Sequence, residues 1–227
     1  MRLTVEPTDA DAARAAAEFL SERIAEAVQE RGRCVLALSG GRTPWSALAR
    51  LVEMNPPWRA IELFQVDERV VAADDPRRNA SRLSSILVSA DRLEAARFHP
   101  MPVDAPLATS ARSYQELLRA TAGTPPVLDV VQLGLGADGH TASLTPGDPL
   151  CEVTDAEVGV SQSYEGTVRL SLTFPAINRA RAVLWLVTGS EKRPALARLL
   201  AKNSSIPAGR VRQEHATLIA DRAAAPG

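Results

Sequence analysis

The chain has 227 residues, 45% of them hydrophobic, and its 26 basic and 27 acidic side chains give a formal net charge of −1. This balance gives no electrostatic argument for a nucleic-acid or membrane partner, and no apolar run reaches the length of a membrane span. The first residues lack the apolar stretch of a signal peptide, and Cys34 and Cys151 make no disulfide framework, so we expect a cytoplasmic protein. The length lies in the range of a single domain, which we expect to span residues 1–227.

Short apolar runs alternate along the chain with segments of helical periodicity. Thr8 and Asp11 form a capping-box-like helix start, and Gly32 ends that helix. In chain order the pattern then predicts a strand at 34–38, a helix at 43–53, a strand at 61–66, helices at 77–89 and 107–120, a strand at 128–133, an alternating segment at 168–174, a strand at 182–187 and a helix at about 190–202. This alternation is typical of an α/β fold with a mainly parallel sheet.

Each of the four apolar strands is followed by glycine, charged residues or histidine. The segments are Ser39-Gly40-Gly41-Arg42-Thr43, Asp67-Glu68-Arg69, Gly134 to His140, and Thr188 to Lys192. Ligands of parallel sheets bind beyond the carboxyl ends of the strands. We therefore expect these segments to form one site.

The glycine-rich turn at 39–43 leads directly into a predicted helix. Such a turn presents free backbone N–H groups and the positive end of the helix dipole, and Ser39 and Thr43 add hydroxyl donors. It lacks the Gly-Lys-Ser/Thr ending of a Walker A loop. The turn predicts a phosphate site, although a plain strand-to-helix turn has the same pattern.

Arg169 and Lys192 are candidates to complete the phosphate site. Arginine suits bidentate contact with phosphate and lysine a point-charge contact. Lys192 lies in the first turn of a predicted helix, where a cation is unfavourable next to the positive end of the dipole. A bound anion nearby would explain its placement. Each residue can instead be an ordinary solvated surface charge.

The segment 134–147 contains a formal G-x-G-x-x-G. A dinucleotide site needs the third glycine inside a helix, whereas here His140 follows at once and Pro146-Gly147 prevents a long helix. A catalytic role is favoured instead, because a neutral imidazole accepts a proton near pH 7. Asp67 and Asp138 are candidate carboxylates at strand ends that substrate can reach, and the alternative for His140 is a loop-capping hydrogen bond.

Other common chemistries find no support in the sequence. Three scattered histidines and two single cysteines have no zinc-ligand spacing, so we expect no metal site. No G-x-S-x-G motif is present, which disfavours a serine-hydrolase mechanism.

Several motifs occur in a characteristic order across about positions 36–193. They read LSGGRTP, FQVDERVV, DDPRRNASR, GLGADGHTASLTPG, RLSLTFPAINRA and LVTGSEKR, and the tail TLIADRAAA continues the pattern. Together they closely resemble the 6-phosphogluconolactonase family of the sugar-phosphate isomerase/deaminase superfamily. The DGHTASL block is the most specific piece.

The resemblance implies a modified Rossmann-like α/β fold without a nucleotide, no cofactor, and a sugar-phosphate lactone as the partner. By position, Ser39, Gly40, Gly41 and Lys192 match phosphate contacts, Asp67 and Arg69 match the DER motif, and Asp138 and His140 match the DGH motif. Arg169 matches a phosphate-binding arginine of the related deaminases. Arg42 and Thr145 depart from the family pattern, where serine and phenylalanine are usual, and Arg42 can add phosphate affinity. The oligomeric state cannot be predicted.

The activity implied is hydrolysis of 6-phospho-D-glucono-1,5-lactone, with His140 activating a water molecule and Asp67 or Asp138 orienting the imidazole. Two alternatives stay open. One is glucosamine-6-phosphate deaminase or isomerase activity, which would more usually show DEY and HIAFNEP. The other is a sugar-phosphate-sensing module without turnover, although the domain is expected to begin within about ten residues and to leave no room for a DNA-binding segment.

Overall fold

The computed structural model describes residues 1–90 and 96–226, and its secondary structure alternates between strands and helices as expected. The strands are β1 (Arg2–Glu6), β2 (Cys34–Leu38), β3 (Ile61–Gln65), β4 (Asp67–Arg69), β5 (Arg97–His99), β6 (Val130–Leu133), β7 (Val158–Val160), β8 (Arg169–Leu172), β9 (Ala182–Val187) and β10 (Ala216–Asp221). The α-helices are α1 (Asp9–Arg31), α2 (Arg42–Glu53), α3 (Asn79–Ser89), α4 (Leu107–Ala122), α5 (Phe174–Asn178) and α6 (Arg193–Leu200). None of the helices in these ranges is long and apolar enough to cross a membrane.

Seven strands form a parallel sheet in the order β1-β10-β9-β6-β2-β3-β5. Every residue of β2, β3 and β6 is buried, which explains the continuously apolar sequence of β2, while β3 and β6 also contain the buried polar residues Glu62, Gln65 and Gln132. The predicted α/β fold with a mainly parallel sheet is therefore confirmed. The carboxyl ends of β2, β3, β6 and β9 lie along one edge of the sheet.

Helices cover both faces of the sheet, and each face has its own apolar core. One core joins buried residues of α1, α2 and α3 to the sheet, and the other joins α4, α5 and α6. The α1 contact is made largely by small side chains, Ala12, Ala13, Ala16 and Ala17. Thr8 accepts the Asp11 N–H at 3.1 Å, and Gly32 ends the helix in the left-handed region, as predicted.

A second, smaller sheet has the antiparallel order β4-β8-β7. The alternating segment at 168–174 forms a strand only over Arg169–Leu172, because Phe174 begins α5 with a proline in its first turn. The Leu172 N–H donates to the Val66 carbonyl at 2.8 Å. This bond fixes the small sheet beside the end of β3.

The helix predicted over about 190–202 is shorter in the structure. Ser190–Lys192 forms a single 3-10 turn after Gly189, and α6 then covers Arg193–Leu200. Pro194 lies in the first turn of α6, where its missing N–H costs no hydrogen bond. Lys192 consequently lies just before the α-helix.

Candidate functional site

The carboxyl ends of β2, β3, β6 and β9 border one cleft with a volume of about 520 Å³, a size typical of small-molecule sites. The expectation that these strand ends meet is confirmed. The predicted site residues that line the cleft are Ser39, Gly40, Gly41, Arg42, Thr43, Asp67, Arg69, His140, Arg169 and Lys192. Asp138 lies outside the lining, directly behind His140.

The glycine turn provides a group of free backbone donors. Gly41 has a φ of 135°, in the left-handed region, and immediately precedes α2. The N–H groups of residues 40–43 donate to no acceptor within residues 1–90 and 96–226. Free amides at a helix N-terminus are suited to an anion, and this helix is long enough to contribute its dipole.

Gly40 is also needed for the packing of Asn79, a residue that the sequence analysis missed. A Cβ atom on Gly40 would lie 2.1 Å from Asn79 Oδ1. The Asn79 amide nitrogen donates to the Asp67 carbonyl at 3.0 Å, and its oxygen accepts from Arg69 Nη1 at 2.9 Å. Asn79 therefore links the glycine turn to the start and end of β4.

Glu68, the central residue of the DER motif, is completely buried. Its Oε1 accepts the N–H groups of Arg69 and Asn79, each at 2.8 Å. Its Oε2 accepts from Gln65 Nε2 at 2.8 Å and from the Ala80 N–H at 2.7 Å. A carboxylate with these donors at the N-terminus of α3 is stabilised by the helix dipole, and it positions both Arg69 and Asn79.

Arg69 and Arg169 are directly opposite each other in the β4–β8 ladder. Arg169 is only 4% exposed, and its Nε is buried with no hydrogen-bond partner among the described residues. Its terminal nitrogen lies 3.5 Å from the carboxylate of the exposed Glu165. Like charges opposite each other destabilise a ladder, and a buried cation without full pairing is costly. A bound anion would offset both costs.

Lys192 and two hydroxyl groups complete this side of the cleft. Lys192 is half-buried and forms no ion pair with any residue in the described ranges. Thr43 Oγ1 and Thr188 Oγ1 are 2.6 Å apart, which ties the start of α2 to the end of β9. Ser39 Oγ is buried in the cleft wall without a partner in the described part of the chain. We call the residues Ser39 to Thr43, Arg69, Arg169 and Lys192 the anion half of the cleft.

His140 and Asp138 form a hydrogen-bonded pair on the other side, and we call them the imidazole half. The His140 Nδ1 lies 2.7 Å from Asp138 Oδ1, which also accepts the His140 backbone N–H at 3.1 Å. The Tyr164 hydroxyl donates to Asp138 Oδ2 at 3.2 Å. Because an ionised carboxylate only accepts, Nδ1 carries the proton in the neutral ring and Nε2 keeps a lone pair.

The environment of Asp138 favours its ionised form. Partial burial raises the pKa of Asp138, but the hydrogen bonds from His140 and Tyr164 and the charge of the imidazole outweigh burial. The pKa of this carboxyl therefore lies below its ordinary value. An ionised Asp138 can both orient the imidazole and stabilise its protonated form.

The glycines at 134–139 position this pair. A Cβ atom on Gly136 would lie 2.1 Å from His140 Nδ1 and 2.5 Å from Asp138 Oδ1. Gly139 has a φ of 92°, and a Cβ there would lie 2.6 Å from the Ile206 side chain. The segment forms turns rather than a helix, so the G-x-G-x-x-G spacing reflects close packing and not the geometry of a dinucleotide site.

Asp67 lies in the cleft wall but forms no hydrogen bond with His140 among the described residues. Its Oδ2 accepts from Ser143 Oγ at 2.6 Å, and its Oδ1 has no partner among the described residues. Of the two aspartates that the sequence left as alternatives, Asp138 therefore makes the bond to His140.

The remaining histidines and the cysteines lie away from the cleft. His99 Nε2 is 2.7 Å from Glu62 Oε2, His215 is exposed before β10, and Cys34 and Cys151 are buried. Across residues 1–90 and 96–226, no three histidine, cysteine or carboxylate side chains are grouped so as to hold a metal ion.

Known proteins resemble this chain over most of its length. The family model of glucosamine-6-phosphate isomerases/6-phosphogluconolactonases matches residues 7–220. A 6-phosphogluconolactonase of Synechocystis is 38% identical over 187 residues, 80% of this chain and 78% of that protein. A 6-phosphogluconolactonase of Streptomyces coelicolor is 35% identical over an alignment of 233 positions, gaps included, which covers 94% of this chain and 89% of that protein.

Solved structures extend the similarity over nearly the whole chain. The 6-phosphogluconolactonase from Trypanosoma cruzi has a TM-score of 0.88 at 27% identity, covering 98% of this chain and 95% of that chain. A monomeric glucosamine-6-phosphate deaminase shares the fold with a TM-score of 0.79 at 21% identity, covering 99% of this chain and 98% of that chain. With a family model matched from residue 7 to residue 220, the chain belongs to the glucosamine-6-phosphate isomerase/6-phosphogluconolactonase family.

Proposed function

We propose that this chain hydrolyses 6-phospho-D-glucono-1,5-lactone to 6-phospho-D-gluconate, the lactone-opening step of the oxidative pentose phosphate pathway. The family and the names of the relatives support this activity. The observation that carries the proposal is the pairing, in one cleft, of an oriented imidazole with a group of unsatisfied anion-binding donors.

The anion half binds the 6-phosphate of the substrate. The free amides of the glycine turn and the guanidinium of Arg169 are direct donors, with Arg69 beside it. Lys192 adds a point charge, and the exposed Arg42 lies at the rim of the cleft. Charge-assisted hydrogen bonds from this set fix one end of the sugar, which holds the lactone carbonyl at a defined place.

His140 acts as the general base. Its Nε2 takes a proton from a water molecule as the water oxygen bonds to C1, and the carbonyl π electrons move to the carbonyl oxygen. When the tetrahedral intermediate collapses, the C1–ring oxygen bond breaks, and the imidazolium returns the proton to the ring oxygen. Asp138 stabilises the imidazolium between these steps.

Asp67 has a binding role in this proposal. Its buried carboxylate lines the cleft, and Ser143 engages only one of its oxygens. The other oxygen is available to accept a hydrogen bond from a sugar hydroxyl. This assignment moves Asp67 from the catalytic pair to the substrate contacts.

The proposal is tested by generating the lactone in situ and following its loss above the spontaneous rate, with glucosamine 6-phosphate as a second substrate. We expect accelerated loss of the lactone and no release of ammonia from glucosamine 6-phosphate. Turnover of the amino sugar without turnover of the lactone would establish the deaminase alternative. Tight binding of 6-phosphogluconate without turnover of either substrate would establish the sensing module.

A further inference from the structure

Tyr164 lies at the tip of the hairpin between β7 and β8, outside every motif used above. Its N–H donates to the Thr167 carbonyl at 2.9 Å, and the Thr167 N–H donates back at 3.2 Å. The two residues between them, Glu165 and Gly166, have φ values of 50° and 75°. Positive φ at both central residues is the signature of a type I′ turn, which fits the twist of the strands and fixes the position of Tyr164.

This tyrosine touches both halves of the cleft. Its hydroxyl donates to Asp138 Oδ2 at 3.2 Å, and its ring meets the His140 ring edge-on with 5.3 Å between centroids. The Arg169 guanidinium lies over the Tyr164 ring, 5.2 Å from its centroid. No other side chain described above contacts Asp138, His140 and Arg169 together.

We infer that Tyr164 is a positioning residue for the reaction, which holds Asp138 and His140 through its hydroxyl and Arg169 through its ring. His140 engages Oδ1 of Asp138 and Tyr164 engages Oδ2, so the carboxylate cannot rotate without breaking a hydrogen bond. A fixed carboxylate fixes the imidazole that it accepts from. The arginine over the ring is held by a cation–π contact.

The state of the phenol is consistent with this role. Burial and the neighbouring Asp138 carboxylate raise the pKa of Tyr164 above its ordinary value. The hydroxyl therefore remains protonated, and so remains a donor, at neutral pH.

Two substitutions separate the two contacts, and because the role rests on the proposed function, lactone hydrolysis is the first readout. Tyr164→Phe removes the hydroxyl and keeps the ring, so we expect kcat to fall by about 3–10-fold with KM within about two-fold of wild type. Tyr164→Leu also removes the ring from Arg169, so KM should rise as well. Ser163→Ala, an exposed neighbour in the same hairpin that makes no side-chain hydrogen bond to the described residues, is the matched control and should leave both constants unchanged. A wild-type kcat in Tyr164→Phe overturns the inference.

A second measurement needs no activity. The chain has three histidines, so ¹⁵N shifts of the imidazoles, assigned with His140→Ala, report the tautomer of His140 directly. We expect the Nδ1–H form in the wild type, its loss in Asp138→Ala, which removes the acceptor, and an intermediate population in Tyr164→Phe. An unchanged tautomer population in Tyr164→Phe overturns the inference whatever the kcat. If the wild type does not open the lactone, the proposed function fails while this spectrum still decides the role of Tyr164.

Discussion

The anion half of the cleft collects its side chains from widely separated parts of the chain, whereas the imidazole half is contained within one short loop. The glycine turn, Arg69, Arg169 and Lys192 follow or lie on four different strands. His140 and Asp138 are two residues apart, and the loop that carries them closes through the Gly136 N–H on the His140 carbonyl at 2.8 Å. The first half depends on the whole fold, and the second depends mainly on its own sequence.

The two halves also differ in how well their polar groups are satisfied without a ligand. Both oxygens of Asp138 accept hydrogen bonds, and the imidazole is already oriented. On the other side, Arg69 faces Arg169 across a ladder, and Arg169 Nε and Ser39 Oγ have no partner in the described residues. The imidazole half is therefore organised in advance, while the anion half stores repulsion that the substrate relieves. Substitutions in the first should lower the rate, and substitutions in the second should lower affinity.

The largest effect should come from His140→Ala. Removing a general base typically lowers the rate by about 10²–10⁴-fold, so lactone loss should fall towards the spontaneous rate. The dissociation constant of 6-phosphogluconate should stay close to that of wild type, because the anion half is intact. His215→Ala changes an exposed histidine directly before the start of β10, at the end of that strand away from the cleft. This variant is the control and should keep the wild-type rate. Retention of the rate in His140→Ala would show that the base lies elsewhere.

Arg169→Met should produce the reverse pattern. We expect KM to rise by about 10–100-fold, since a hydrogen bond to a charged group is worth ~1.5–3 kcal/mol. Without ligand, the melting temperature should rise by about 1–3 °C, because the substitution removes a buried cation opposite Arg69. The measurements are steady-state kinetics and calorimetry of the free protein.

Arg119→Met is the matched control for this stability gain. Arg119 pairs at 2.7 Å with Glu157, which is buried, so its loss leaves a carboxylate with one fewer partner. We expect a lower melting temperature and an unchanged KM. If Arg169→Met also lowers the melting temperature, the anion half stores no repulsion and the contrast between the two halves is wrong.

The parts of the site that were predictable are those governed by the parallel sheet. Apolar runs at 34–38 and 182–187 mark buried strands, and the rule that ligands bind beyond their carboxyl ends brings Ser39 and Thr188 into one cleft. His140 could be proposed from the sequence as a candidate base because it lies in a glycine-rich strand-end turn opposite the predicted phosphate site. The choice between Asp67 and Asp138 needed coordinates, since both follow strands.

The parts that were missed depend on contacts between distant residues. β4 is too short to show a period, and the alternation around β8 predicts a strand but not its partner, so the pairing of Arg69 with Arg169 has no signal in either segment. Glu68 and Asn79 are buried polar residues. Glu68 accepts from residues 11 and 12 positions later in the chain, and Asn79 packs against Gly40 in the turn after β2. Tyr164 lies in a hairpin tip that resembles any polar turn until its neighbours are known.

A smaller effect is expected from Lys192→Ala. Lys192 is half-buried and contributes a point charge that ground state and transition state feel alike, so KM should rise by about 3–10-fold while kcat stays within about two-fold. Lys202→Ala, which removes the only other lysine and lies outside the cleft, is the control and should change neither constant. A loss of kcat alone in Lys192→Ala would place this residue with the imidazole half rather than the anion half.

The smallest effect concerns the pH dependence of the free energy of unfolding, which tests whether Asp138 is held in the free protein. Burial raises the pKa of Asp138, but its bonds from His140 and Tyr164 lower it further, so it lies below the ordinary value. A carboxyl with a lowered folded pKa stabilises the protein fully above the unfolded pKa of about 4, and this stabilisation is lost as the pH falls through the folded value. Urea unfolding from about pH 6 to about pH 3 should therefore show a smaller loss of stability for Asp138→Asn than for wild type. Asp155→Asn, at an exposed position, should follow the wild-type curve. Parallel curves for wild type and Asp138→Asn would mean that the neighbours do not stabilise the carboxylate in the free protein. The polar groups of the imidazole half would then, like those of the anion half, be satisfied only when the substrate binds.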